Sequence, residues 1–442
     1  MADIAPRQRQ ITHKRVLAIA LPIVLSNATV PILGVVDTGV VGQLGEAAPI
    51  AAVGVGAVIV SAVYWIFGFL RMGTTGLTSQ ALGAEDQGEA DALLSRALLT
   101  GLIGGILAIL LIAPITWLAF WYAPATQAVE NLAQSYINIR IWSAPAAIAV
   151  FGITGWLIAN ERTRAVLIIQ VWMNGLNILL DLIFVLEFGW GVEGVATATL
   201  IAEWTGLAVG LWLCRDAFLR PFWKQWSRVI DKSKLIHMAS VNGDILLRSL
   251  FLEAIFLSFL VFYSAQFGEI GHASNQILLQ FLHVTAYGLD GFAFAAETLV
   301  GSAMGAKNPA RLRRAALFTS GWGLALTSAF SVCVFFWGAN AIDLMTTSEE
   351  VRASAKVYLP WMTVAPVIGL AAWMLDGIFI GATRTADMRN MMAISTAIYF
   401  AAVWQLTPEF GNHGLWAALL ISFVARGITL ALRYPALERA AR

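Results

Sequence analysis

Two carboxylates and a set of amides stand where a lipid bilayer would least tolerate them. Asp37 lies near the far end of a stretch from Lys14 to Gly45 that stays apolar for more than twenty residues. At about 1.5 Å per residue, such a stretch is long enough to cross a membrane. A charge on a spanning helix costs roughly 3 kcal/mol on insertion scales, so a bare aspartate there asks for a partner, a cavity or a proton. On another apolar run, Gln170, Asn174, Asn177 and Asp181 are spaced by 4, 3 and 4 residues. At about 100° per residue they fall within roughly 60° of one another, a single polar stripe on an apolar helix. Lipid cannot satisfy such a stripe, so it must face the interior of a bundle.

The chemistry these side chains support is the binding and release of a proton. Counted along their helices, Asp37 and Asp181 lie about 25–30 Å from one membrane face, and Thr199, on the returning run, about 10 Å below the other. Two carboxylates, a hydroxyl and two amides then share one level. Carboxylates in a common apolar pocket cannot both ionise readily, which suits the pair to hold a proton. A structural role for Asp37 stands beside this one. Pro31 leaves the carbonyl of Asn27 without its helical donor, and nearby polar groups would repair that.

A second set lies later in the chain. Asp244 and Arg248 are spaced i, i+4 and would form a self-neutralising pair. Asp290, Glu297 and Asp376 lie on runs that enter from the opposite face. Asp244, Arg248, Asp290 and Asp376 are expected to form one inner ion-pair network, structural in role. Glu253 stands apart, at about the depth of Asp37. Its pairing with Arg140, near the outer end of the fourth run, would need a proximity that sequence does not supply.

The elements that position these groups follow from composition. Of 442 residues, 59% are hydrophobic and only 12% charged, with mean hydropathy +0.74. A soluble domain carries about 25% charged residues, so this is an integral membrane protein. Twelve apolar runs can be marked, near 16–39, 48–72, 92–116, 130–158, 165–186, 192–213, 236–263, 273–300, 314–338, 354–380, 388–405 and 413–434. The longest connection, 214–235, separates residues 1–213 from 236–442. No cleavable signal is evident, and net charge +1 offers nothing to nucleic acid. Cys214 and Cys333 sit by different runs, suggesting neither disulfide nor metal site.

Basic residues set the orientation. Arg7, Arg9, Lys14, Arg15, Arg71, Arg96, Arg162, Arg164, the linker and the C-terminus all fall on one side, which makes both termini cytoplasmic. The halves also repeat. Leu82-Gly83-Ala84 matches Met304-Gly305-Ala306, and Gly155, Arg162 and Thr163 match Gly377, Arg384 and Thr385, each about 220 residues apart. Six spans per half is even, so the halves are parallel repeats. The expected architecture is all-α and polytopic: twelve transmembrane helices in two parallel-repeat six-helix lobes with a central cleft.

Six stretches together carry a resemblance. They are LPIVLSNATVPILGVVDTGVVGQLG at 21–45, LRMGTTGLTSQALGA at 70–84, NGLNILLDLIFV at 174–185, EGVATATLIAE at 193–203, AYGLDGFAFAAE at 286–297 and LDGIFIGATRT at 375–385. They resemble the multidrug and toxic compound extrusion (MATE) family, in its bacterial DinF branch. The resemblance implies a cation-coupled exporter of amphipathic, cationic drugs, working by alternating access as a monomer in the bacterial inner membrane. It implies proton coupling through Asp37 and Asp181, with Asn177 and Thr199 at matching motif positions and Pro22 at the bend of the first helix; the polar stripe adds Asn174 to that set, and Pro31 is a second interruption of the same helix. The family's sodium-coupled branch uses second-lobe acids that Glu253 and Asp376 loosely resemble, so sodium-coupled antiport is the alternative. A lipid-precursor flippase of the same superfamily would want a strongly cationic cavity, and few intramembrane basic residues exist beyond Arg140, Arg248 and Arg426. No HExxH, GxSxG or Walker pattern occurs, which argues against an enzyme or an ATP-driven pump. No cofactor is expected beyond the coupling ion.

Overall fold

The computed structural model describes residues 10–43 and 46–442, except for the side chains of residues 30–33, 35, 37 and 38. Its long helices are α1 (His13–Gly42), α2 (Ala47–Gly83), α3 (Gln87–Tyr122), α4 (Gln127–Ala159), α5 (Thr163–Glu187) and α6 (Gly191–Leu213). After the connection come α7 (232–267), α8 (Gly268–Gly305), α9 (Pro309–Met345), α10 (Glu349–Gly381), α11 (Thr385–Phe410) and α12 (Asn412–Ala440). Each covers one of the apolar runs. Nine helical stretches among the described residues are long and apolar enough to cross a bilayer. The protein is an all-α, polytopic membrane protein.

Helix starts follow ordinary capping chemistry. Asp86 and Asn308 accept the backbone N–H of Glu89 and Arg311, each at 2.9 Å, and Pro309 opens the first turn of α9. The ends are less ordinary. Glu85, Glu161, Lys307 and Thr383 hold left-handed backbone, with φ of 63°, 58°, 49° and 50°. That conformation costs an L side chain roughly 1–2 kcal/mol. At α4 and α10 the turn is closed alike, by Arg162 N–H on the Leu157 carbonyl at 2.9 Å and Arg384 N–H on the Phe379 carbonyl at 3.0 Å. Burial repeats as well. In their most apolar windows, α4 and α10 are 78% and 61% buried, whereas α3 and α9 are 28% and 22% buried. Helices α4 and α10 therefore run through packed interiors, and α3 and α9 show lipid a wide apolar face.

By packing, the chain forms two compact units. One comprises the chain up to Val24, Ser79–Glu85 and Met238–Arg442; the other comprises Leu25–Thr78 and Asp86–His237. This differs from a division into 1–213 and 236–442, and close contacts explain the difference. His13 stacks on Phe318 with ring centroids 4.2 Å apart. A Cβ on Gly291 would lie 2.5 Å from Val24 and 2.7 Å from the Ala20 carbonyl. Gln80 donates to the Gly381 carbonyl at 3.0 Å and to the Thr383 hydroxyl at 2.9 Å. The first half of α1 and the end of α2 thus pack with the later helices.

In the other unit, the connection is clamped rather than loose. Arg220 grips the fully buried Asp91 through two hydrogen bonds of 2.6 and 2.8 Å. Arg96 donates to the carbonyls of Val229 and Arg228 at 2.8 and 2.7 Å. Residues 215–229 consequently form short helical turns against the start of α3.

Helix α3 reaches α4 through glycines. A Cβ on Gly105 would fall 2.3 Å from the Cα of Pro145, an approach to backbone that cannot swing aside. Gly54, on α2, has nothing within 4 Å of its own Cβ position. Gly105→Ala should therefore destabilise by about 1–3 kcal/mol despite its better helix propensity. Gly54→Ala should instead be neutral or stabilising by up to about 1 kcal/mol. Melting temperatures of the two purified variants check this, and equal shifts would contradict it.

Candidate functional site

Helix α5 is α-helical from Thr163 to Asp181 and continues as a π-helical turn over Leu182–Glu187. Its polar stripe points inward: Asn174, Asn177 and Asp181 are 6%, 1% and 0% exposed. The stripe reaches helices on both sides. Gln170 donates to Asn174 Oδ1 at 3.1 Å, and Asn174 Nδ2 donates to the Thr29 hydroxyl of α1 at 2.8 Å. Thr29 in turn donates to the Ser26 carbonyl at 2.7 Å. Asn177 Nδ2 donates to the Thr199 hydroxyl of α6 at 3.0 Å, and Thr199 donates to the Val195 carbonyl at 3.0 Å. Asn177 Oδ1 accepts no hydrogen bond among the described residues. The side chains of Asp37 and Pro31 lie outside the described residues. Helix α1 is continuous from His13 to Gly42, and Pro22 within it is half-buried.

One turn beyond Thr199, α6 carries a second polar centre. Glu203 and Arg140, each 8% exposed, form a two-pronged pair with contacts of 2.8 and 3.1 Å. Arg140 closes the first α-helical part of α4, directly before a 3-10 turn at Ile141–Ser143. The Ser143 hydroxyl accepts from Arg140 Nη1 at 2.7 Å, and the Tyr64 hydroxyl donates to the Arg140 carbonyl at 3.0 Å. Glu203, and not the Glu253 weighed from sequence, is thus the partner of Arg140. The available signal was an isolated acid inside the sixth apolar run, four residues after Thr199.

The later acids sort differently from the expected network. Asp244 and Arg248 do not pair with each other. Asp244 accepts from Arg389 at 2.5 Å and from the Thr385 hydroxyl at 3.0 Å, both on α11. Arg248 pairs instead with Asp376 on α10. Spacing at i, i+4 adds only a few tenths of a kcal/mol, and charged partners on neighbouring helices, Arg389 for Asp244 and Asp376 for Arg248, outcompete it. Arg426 on α12 joins the cluster, 3.6 Å from Asp376. The described partners of Arg248 and Arg426 do not include Asp290, which is half-buried on α8. Glu297 is 1% exposed on the same helix. Glu253 is exposed on α7 and so stands outside this buried cluster.

Inward-facing polar stripes, buried ion pairs and repeated sets of helices define the build of a membrane transporter. The MatE family model matches residues 22–183 and again 246–403. The chain is 39% identical to DNA damage-inducible protein F of Escherichia coli, over 98% of this chain and 93% of that protein. It is 25% identical to a probable multidrug resistance protein NorM of Neisseria meningitidis serogroup A, over 93% of this chain and 92% of that one. Its fold matches a crystal structure of the Vibrio cholerae MATE transporter VcmN in the bent form, with TM-score 0.89, 20% identity and 97% of each chain covered. The chain belongs to the MatE family, and it is a transporter rather than an enzyme. The resemblance to the family and to its DinF branch is thereby borne out.

Proposed function

We propose that this protein exports amphipathic, cationic small molecules in exchange for protons. It works as a monomer in the bacterial cytoplasmic membrane, with both termini inside. The observation that carries this reading is the buried stripe Asn174–Asn177–Asp181 tied to α1 through Thr29 and to α6 through Thr199. A fully buried carboxyl is suited to gain and lose a proton, because each state needs a different set of hydrogen bonds. Asp37 supplies the second carboxylate, and Pro22 and Pro31 supply the weak points of α1 at which protonation changes its course. A drug-like substrate is supported by the NorM relative, which is named a probable multidrug resistance protein.

Sodium coupling through Asp376 is disfavoured by the two guanidiniums beside it, which repel a metal cation. The test is efflux of a fluorescent cationic dye from liposomes holding the purified protein. A proton gradient alone should drive export and a sodium gradient alone should not; the reverse would replace the proton with sodium. For orientation, a reporter fused after Arg442 or beside Lys224 should read cytoplasmic, and one at Gly411 external.

A further inference from the structure

The cluster of Arg248, Asp376 and Arg426 holds two guanidiniums and one carboxylate, and all three residues are buried, at 7%, 4% and 2% exposed. Arg248 donates to Asp376 Oδ2, and Arg426 Nη1 approaches the same oxygen at 3.6 Å. Arg426 Nη1 also meets the Met392 sulfur at 3.7 Å, and its guanidinium lies 5.9 Å from the centre of the Phe423 ring. Among the described residues its Nε and Nη2 find no hydrogen-bond partner, nor do Arg248 Nε and Asp376 Oδ1, which leaves three idle donors against one idle acceptor. Asp244 does not balance the excess, because Arg389 and Thr385 already engage it.

A guanidinium presents five N–H donors and keeps its charge in proteins. Water can satisfy loose donors, but it cannot balance a charge. An unmatched buried cation is costly, and the remedy is a second anion whose acceptors meet the idle donors. A cation has no place here, since Arg248 and Arg426 would both oppose it.

We infer that Arg248 and Arg426 form an anion site around Asp376, taking a small monovalent anion: a halide or the carboxylate of an organic molecule. Both sources share the chemistry of a compact, singly charged acceptor, which two neighbouring guanidiniums recognise well. This inference does not depend on the coupling ion. It places an anion-selective element on α7, α10 and α12, among the helices of the unit that does not contain the polar stripe.

The experiment is the thermal stability of the purified, detergent-solubilised protein in sodium methanesulfonate, with bromide or acetate substituted at constant ionic strength. Bromide should raise the melting temperature saturably, by roughly 2–5 °C, if the site takes inorganic anions. A response to acetate and not bromide assigns it to organic carboxylates. Arg426→Gln should remove the response while a folded, monodisperse protein remains. Should that variant not fold, Arg248→Gln and an anomalous bromide peak between the two arginines in wild-type crystals provide the same reading. No response to either anion in the wild type overturns the inference, and so does an undiminished response in both variants.

Discussion

Asp181→Asn is expected to leave the protein in the membrane at wild-type abundance while proton-driven export falls to background. The reasoning starts from burial. Asp181 is fully enclosed at the end of the α-helical part of α5, one turn beyond Asn177. Asparagine keeps the size and most of the hydrogen-bonding capacity of a protonated carboxyl, so packing is preserved. It cannot ionise, so the exchange of a proton across the two faces stops. Asp37→Asn should behave the same way. Counterflow of dye driven only by its own gradient should survive better than proton-driven export in both variants, which separates lost coupling from lost binding. Full proton-driven export by both asparagine variants would remove the carboxylates from the mechanism. Collapse of membrane abundance would show that the stripe is structural instead.

Glu203→Gln is expected to be the most damaging of the conservative substitutions for stability. It removes the charge that balances Arg140, leaving a buried cation with Ser143, the Tyr64 ring and one amide oxygen, and uncompensating a buried charge in this way costs about 3–5 kcal/mol. The double variant Arg140→Met, Glu203→Leu removes both charges and should recover most of that loss, because buried pairs are frequently replaceable by apolar groups. Denaturation midpoints of the single and double variants form the measurement. Equal losses in both would mean that the pair contributes through shape and not charge. Because Thr199 sits one turn from Glu203 on α6, the single variant should also weaken export in the fraction that stays folded.

Helix periodicity and charge told a large part of this architecture in advance. Long apolar runs with short basic connections admit only spanning helices, and the runs at 165–186 and 192–213 became α5 and α6 with the stripe and Thr199 in hydrogen-bonding contact. Partner choice was less legible. Asp244 and Arg248 satisfy the spacing rule for an intrahelical pair, yet Arg389 and Asp376, distant in the chain, approach from other helices and take their place. Glu203 was hidden for the same reason, since nothing local to it points to Arg140. The helix ends escaped as well. Left-handed turns normally announce themselves with glycine, and Glu85, Glu161, Lys307 and Thr383 give no such sign. Their strain is imposed by closure of the turn between packed helices.

The packing of α1 against later helices has a consequence for how the chain is made. Ala20 and Val24 rest on Gly291, and His13 rests on Phe318. At about 5–20 residues per second, a ribosome needs roughly 15–50 s to travel from Val24 to Gly291. For that interval the start of α1 is already in the bilayer with its final neighbours not yet synthesised. Nascent chains arrested in the 214–235 connection therefore carry an orphaned helix end, and membrane proteases should attack them from that end. Supplying residues 236–442 as a separate polypeptide should protect them.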